Sequence, residues 1–127
     1  MPKPPAPSTP VQAYKQIIDN LVQHSPSLGA RLVVEQAIYS KAPDLQYMNE
    51  LVHSLTPEHR AVLSQMLTHE RVSAIHDVLA DLTWWIICRE VGLTYRGDKM
   101  PVDLSGMGLH GDYVGRRNDW EWPKDSN

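Results

Sequence analysis

The stretch from Pro57 to Val91 constrains the fold most, because after its first residue it contains neither proline nor glycine and favours a helix throughout. As one helix it would be about 52 Å long. The helices predicted before it are roughly 15 to 25 Å long. We therefore expect a break near residues 67–71. A continuous helix with a protruding end used in dimerisation is the other arrangement.

Apolar residues of this stretch occupy two opposite faces when they are placed at about 100° per residue. One face carries Val72, Ile75, Val78, Leu79, Leu82 and Ile86. The other carries Val62, Met66, Ala80, Trp84, Ile87 and Val91. A helix that is apolar on both sides is normally surrounded by protein. We therefore expect the part near residues 70–91 to be the central helix of a bundle, or to use its second face as a subunit interface.

The preceding helices are marked by hydroxyl residues that directly precede proline, which suits a helix cap followed by the first helical position. These pairs are Thr9-Pro10, Ser25-Pro26 and Thr56-Pro57. Gln12 adds a possible capping box to the first pair. The pattern predicts helices over residues 10–24 and 26–42, and Asp44 begins a short third helix that ends near residue 55.

The two ends of the chain have a different composition. Five of the ten prolines lie in residues 1–10. We therefore expect a flexible, extended tail over residues 1–9. Residues 92–127 are rich in glycine, which predicts a loop-rich closing segment with one short turn at 109–113 and a few strand residues near 100–104. Trp120 and Trp122 are large enough to anchor this segment on the helices.

These patterns predict an all-α fold, a small helical bundle of four to five helices around a central apolar helix. The length of 127 residues fits a single domain over 10–127, with helices over 10–91 and the closing segment after them. A composition of 42% hydrophobic residues and a net charge of −3 exclude a disordered acidic chain and a polycation. No basic stripe is present, so nucleic-acid binding is disfavoured.

The location of the protein is predicted from three features. The longest apolar run, residues 84–88, is far shorter than the roughly 20 residues of a membrane span, so we expect no membrane helix. The first residues lack the apolar segment of an export signal, which predicts a cytoplasmic protein. Cys88 is the single cysteine, and its bulky apolar neighbours predict a buried, inert thiol.

A first candidate site lies on the long helix, where His69, Ser73 and His76 interrupt an apolar face beside Glu70 and Asp77. Imidazole and carboxylate groups bind divalent metals and transfer protons. The two histidines are about 10.5 Å apart along the helix, whereas a helical zinc pair uses positions i and i+4. A polar layer that hydrogen bonds to the closing segment or to a second subunit is therefore the preferred interpretation.

A second candidate site is the glycine-rich run over residues 105–117, whose backbone donors and arginines could hold an anion. It lacks the ending of a phosphate-binding loop, so tight turns with Arg116 and Arg117 paired to Asp112, Asp119 or Glu121 are preferred. If this segment folds back, His110, Asp112 and Arg116 would complete a pocket with the helix histidines.

Two functions remain open from the sequence. The leading one is a non-enzymatic cytoplasmic protein–protein interaction module, expected to be a homodimer. The alternative is a small ligand-binding or metal-assisted hydrolytic protein, with a divalent metal as its possible cofactor. Its candidate site comprises His69, Glu70, Ser73, His76, Asp77, His110, Asp112 and Arg116.

Overall fold

The computed structural model describes residues 4–124 and confirms the all-α class. Its elements are α1 (Pro10–Gln23), α2 (Leu28–Gln36), a 3₁₀ helix (Pro43–Leu45), α3 (Gln46–Ser54), α4 (Pro57–Cys88), β1 (Thr94–Tyr95), β2 (Asp98–Lys99) and α5 (Gly108–Arg117). Residues 1–3 of the predicted tail and 125–127 of the predicted closing segment lie outside the described residues.

The chain divides into two compact units. One unit is His24–Ala74, and it contains α2, α3 and the first part of α4. The other, called the α1/α5 unit here, combines the residues up to Gln23 with those from Ile75 onward. The sequence analysis treats residues 10–127 as one domain and does not predict this division.

Two helix starts lie where the hydroxyl–proline pairs predict them. The N–H of Gln12 donates to Thr9 Oγ1 at 3.2 Å, and α1 begins at Pro10. The N–H of His59 donates to Thr56 Oγ1 at 3.1 Å, and α4 begins at Pro57. Both caps satisfy amide groups that the first helical turn leaves free.

Helix α2 differs from its prediction at both ends. It begins at Leu28, because Ser27 rather than Ser25 caps it by accepting a bond from the Ala30 N–H at 3.0 Å. It ends at Gln36, far before Pro43. The reason is Asn49 of α3, whose Oδ1 accepts bonds from the N–H groups of Tyr39 and Ser40 and holds that segment outside the helix.

Helix α4 is continuous over 32 residues, so the predicted break near residues 67–71 is wrong. No residue in that region interrupts the backbone hydrogen bonds of the helix. The length of the neighbouring helices does not limit the length of α4, because the two parts of α4 belong to different units. The prediction of a helix surrounded on all sides is also wrong. Within α4 only Leu79 and Thr83 are buried.

The second apolar face of α4 is largely exposed, at Val62, Met66, Trp84 and Ile87. Val78 of the first face is exposed as well, and so is Cys88, which was predicted to be buried. Helical periodicity identified apolar positions correctly, but it does not determine how many sides of a helix other segments cover.

The core of the α1/α5 unit lies between α1, α5 and one side of α4. Its buried apolar side chains are Ala13, Tyr14, Ile18, Leu79, Met100, Leu109 and Tyr113. In the His24–Ala74 unit the buried apolar side chains are Ala30, Leu32, Val33 and Val52, and Ser64 Oγ of α4 donates to the Ala30 carbonyl at 2.7 Å.

The closing segment contains more regular structure than predicted. Strands β1 and β2 pair antiparallel at residues 94–99, and residues 100–104, where strand was predicted, contain none. The two-residue turn between the strands has Arg96 and Gly97 at positive φ, which is typical of a tight hairpin. Residues 109–113 belong to a ten-residue helix, α5, rather than to one short turn.

The proline-rich residues 4–9 form neither helix nor strand. The carbonyls of Pro5 and Pro7 accept hydrogen bonds from side chains elsewhere in the chain. Tyr95 Oη donates to the Pro7 carbonyl at 2.7 Å, and Gln16 Nε2 donates to the Pro5 carbonyl at 3.3 Å.

Ala37, which ends α2, has a left-handed backbone with φ of 55°. Replacing it by glycine (Ala37→Gly) should raise the free energy of unfolding by about 0.5 to 1 kcal/mol, because glycine adopts this conformation without the Cβ clash. Ala61→Gly, in the exposed interior of α4, is the control and should lower it by about 1 kcal/mol. Urea unfolding measures both values; a loss of stability in Ala37→Gly would contradict the prediction.

Candidate functional site

Asp112 on α5 is the most deeply buried polar residue of the α1/α5 unit, with 0% of its surface exposed. Its Oδ2 accepts hydrogen bonds from Tyr14 Oη and from the N–H of Leu104, the latter at 2.8 Å. Its Oδ1 accepts one from the N–H of Ser105 at 2.7 Å. The buried carboxylate is therefore bound to three donors of its own chain.

Tyr14 on α1 is buried together with Asp112, and its hydroxyl also accepts a bond from the Asp103 N–H at 3.2 Å. Burial, followed by the hydrogen bond to Asp112, raises the pKa of Tyr14 far above its usual value. The phenol therefore stays protonated and acts as a permanent donor to the carboxylate. This pair joins α1 to α5 and to the loop before it.

Two side chains accept hydrogen bonds from the first N–H groups of α5. Asp103 Oδ1 accepts a bond from the Gly108 N–H at 2.5 Å, and Thr83 Oγ1 of α4 accepts one from the Leu109 N–H at 3.0 Å. The run over residues 105–117, considered as an anion site but expected to form tight turns, thus has a carboxylate of the protein itself at its helix start. Gly111 allows close packing, because a Cβ there would lie 2.5 Å from the Cβ of Met107.

Arg116 connects α5 to α1 and to the end of the described chain. Its Nε donates to Asp19 Oδ1 at 2.7 Å, and its Nη1 donates to the Trp120 carbonyl at 2.6 Å. Asp19 Oδ2 also accepts a bond from Trp122 Nε1 at 3.0 Å. The predicted anchoring by Trp122 is present, whereas Arg116 pairs with Asp19 instead of Asp112, Asp119 or Glu121, because α5 packs against α1.

His76 and His110 are the predicted site residues that the structure brings into contact. Their rings meet edge to face with centroids 5.1 Å apart. His76 Nδ1 lies 3.1 Å from Asp77 Oδ1, on the exposed side of α4. His110 Nδ1 is buried, and it has no hydrogen-bond partner among the described residues.

His69, Glu70 and Ser73 belong to the His24–Ala74 unit, not to the unit that contains the other predicted site residues. His69 and Glu70 are exposed and line a shallow depression of about 400 Å³ with Val62, Gln65 and Met66. Within residues 4–124 no group of three or more histidine, cysteine, aspartate or glutamate side chains is placed to hold a metal ion.

A cleft in the His24–Ala74 unit was not predicted, because no sequence motif marks it. It has a volume of about 500 Å³ and lies between α2 and the segment that follows it. Leu28, Leu32 and Tyr39 give it an apolar lining, and Arg31 lies at its edge, 3.9 Å from Glu35. Lys41 also lines the cleft.

The second feature without a motif is an exposed strip on the α4 part of the α1/α5 unit, called the outer strip here. All of its side chains are exposed: Asp77, Val78, Asp81, Trp84, Trp85, Cys88 and Arg89. Trp84 and Trp85 are 45% and 46% exposed, and their rings contact each other edge to face at 5.3 Å. The guanidinium of Arg89 lies 4.9 Å from the ring centre of Trp84.

The sequence contained a partial signal for this strip. At about 100° per residue, Trp84 and Trp85 point in different directions from the helix and cannot both face one core layer, and both are partly exposed. None of the helices within residues 4–124 is both long enough and apolar enough to cross a membrane.

Removing the Tyr14 hydroxyl should reduce the sensitivity of the fold to alkaline pH. Since its pKa is raised in the folded state, the contribution of Tyr14 is complete below its unfolded pKa of about 10 and declines as the pH rises above that value. Tyr14→Phe should lower the free energy of unfolding by about 1 to 3 kcal/mol at pH 7 and flatten its decline above about pH 10.

Tyr47→Phe is the matched control, because Tyr47 is 63% exposed. Urea unfolding of the three proteins between about pH 7 and pH 11 provides the comparison. An equal alkaline loss in wild type and Tyr14→Phe would contradict the assignment of Tyr14 as a buried, neutral donor.

Comparison with known proteins places most of this chain in one family. No curated protein and no solved structure matches it. Residues 7–124 match the model of a family of unknown function, DUF6547. Because the match includes both described units and every predicted site residue, the chain belongs to the family DUF6547.

Proposed function

We propose that this protein is a protein–protein interaction module that associates as a homodimer through the outer strip. The observation that carries the proposal is the exposure of Trp84 and Trp85 on a helix whose opposite side, at Leu79 and Thr83, lies in the core. The tryptophans are thus presented by a fixed element rather than by a loop.

Exposed tryptophan pairs favour association for a physical reason. Each indole offers a large apolar area with little side-chain entropy to lose, and tryptophan is enriched at the centre of protein interfaces. Val78 and Cys88 extend the apolar part of the strip. Contiguous exposed apolar surface of this kind is typical of an interaction site.

The polar residues of the same unit support a non-enzymatic role. Asp112 accepts three hydrogen bonds from its own chain, and Arg116 is bound by Asp19 and the Trp120 carbonyl. Both groups are thus already bonded to partners within the chain. The proposal includes a cytoplasmic location, supported by the exposed thiol of Cys88, which a reducing compartment would keep free.

Loss of one strip tryptophan should weaken self-association. We expect Trp85→Ser to raise the dimer dissociation constant at least about tenfold, because an interface centre formed by tryptophan contributes about 2 kcal/mol or more. Sedimentation equilibrium of the full chain between about 1 µM and 1 mM measures this constant. Tyr47→Ser, which removes an exposed aromatic ring outside the strip, is the control and should leave it unchanged.

Circular dichroism of each variant establishes that the helices are intact. A wild-type chain that stays monomeric over the whole concentration range would refute the homodimer. A dimer that Tyr47→Ser weakens as much as Trp85→Ser would show that the outer strip is not its interface.

A second candidate function, binding of a small ligand or a divalent metal ion beside His76 and His110, has one observation in its favour. His110 Nδ1 is buried and has no partner within residues 4–124, and it lies next to the half-exposed His76 ring. Such an atom is normally satisfied by a bound group or a water molecule. Two imidazoles are fewer than the three protein ligands of a catalytic zinc site, so the expected affinity is low.

Zinc is the probe that tests this candidate. If the pair binds it, about 1 mM Zn²⁺ should raise the Tm of the wild type by a few degrees, and His76→Ala should abolish the increase. His59→Ala, at an exposed position in the first turn of α4, is the control and should retain it. No increase for the wild type would remove the metal-assisted hydrolytic alternative.

A further inference from the structure

The outer strip is one continuous face of a regular helix. Its residues from Asp77 to Cys88 lie beside one another on α4. Arg89 directly follows the end of the helix, and its N–H still donates to the Trp85 carbonyl at 3.0 Å. A helix of about two turns can therefore lie along residues 81–89 of the strip.

The charges of the strip are separated along the helix axis. Asp77 and Asp81 lie before Trp85, and Arg89 lies after it. Asp81 and Arg89 are each four residues from Trp85, so their backbone positions lie about one helical turn before and after it, and the Arg89 guanidinium lies over Trp84. Trp85 is thus flanked by an acid on one side and a base on the other.

This arrangement distinguishes between partners and between orientations. A parallel copy would place Asp81 against the partner's Asp81 and Arg89 against the partner's Arg89, and both contacts would be repulsive. An antiparallel copy that crosses at Trp85 places each Asp81 against the partner's Arg89.

We infer that the occupant of the outer strip is a second copy of this chain, with the two α4 helices antiparallel and crossing at Trp85. The inference rests on the proposed homodimer and adds its geometry. Twofold symmetry makes each pair occur twice, so Asp81 of each subunit meets the partner's Arg89 on either side of the central tryptophans. Because Arg89 already lies over Trp84, its guanidinium is at the strip surface before association.

Charge reversal tests the orientation directly. Asp81→Arg and Arg89→Asp each place like charges face to face twice, and each should raise the dimer dissociation constant about tenfold or more. The double variant Asp81→Arg/Arg89→Asp recreates both pairs and should return to within about threefold of the wild type. Asp98→Arg, an exposed reversal on β2, should have no effect.

Cysteine cross-linking of the wild-type chain provides a second measurement that needs no variant. In an antiparallel pair that crosses at Trp85, the two Cys88 residues are about 9 Å apart along the axis and about 12 Å apart in total. A bismaleimide with a reach of about 13 Å should link the dimer covalently. Direct oxidation should not, because a disulfide requires Cα atoms within about 7 Å.

The outcomes separate this inference from the function on which it rests. A wild-type monomer at all concentrations would remove both. If Trp85→Ser abolishes the dimer but the double charge reversal is no tighter than the single ones, the strip is the interface and the antiparallel crossing is wrong. Efficient formation of a Cys88 disulfide between subunits would likewise overturn the crossing and indicate parallel helices.

Discussion

Burial of the Asp112 carboxylate determines how three segments of the α1/α5 unit meet. A buried charge is tolerated only when hydrogen bonds replace its hydration. Here the donors come from Tyr14 on α1, 98 residues away in sequence, and from the two amides of the loop before α5. The position of α5 against α1, and with it the Arg116–Asp19 pair, follows from satisfying this one group.

Local signals in the sequence correctly predicted two of the helix starts, and long-range contacts decided much of the rest. The Thr9 and Thr56 caps act within one turn, so the starts of α1 and α4 were predicted correctly. Helix α2 stops early because of Asn49, which lies in the next helix and cannot be recognised by periodicity. Helix α5 was missed because glycine disfavours helices, although Gly111 is required where Met107 packs closely.

The candidate site was predictable by residue type but not by role. Asp112 and Arg116 have the chemistry of ligand-binding groups, and a sequence cannot show that their partners are already supplied by the same chain. The same limitation affects α4. Its apolar positions were identified from the sequence, but their exposure at Trp84, Trp85 and Cys88 depends on how much of the helix the rest of its unit covers.

The contrast between the two sides of α4 is the basis for preferring association over catalysis. On the core side, polar groups are matched internally: Thr83 Oγ1 donates to the Leu79 carbonyl and accepts from the Leu109 N–H. On the outer side, large apolar rings remain in solvent between an acid and a base. A catalytic site needs polar groups that are free to contact a substrate. An interface needs exposed apolar area with complementary charges at its edges, and the outer strip has these features.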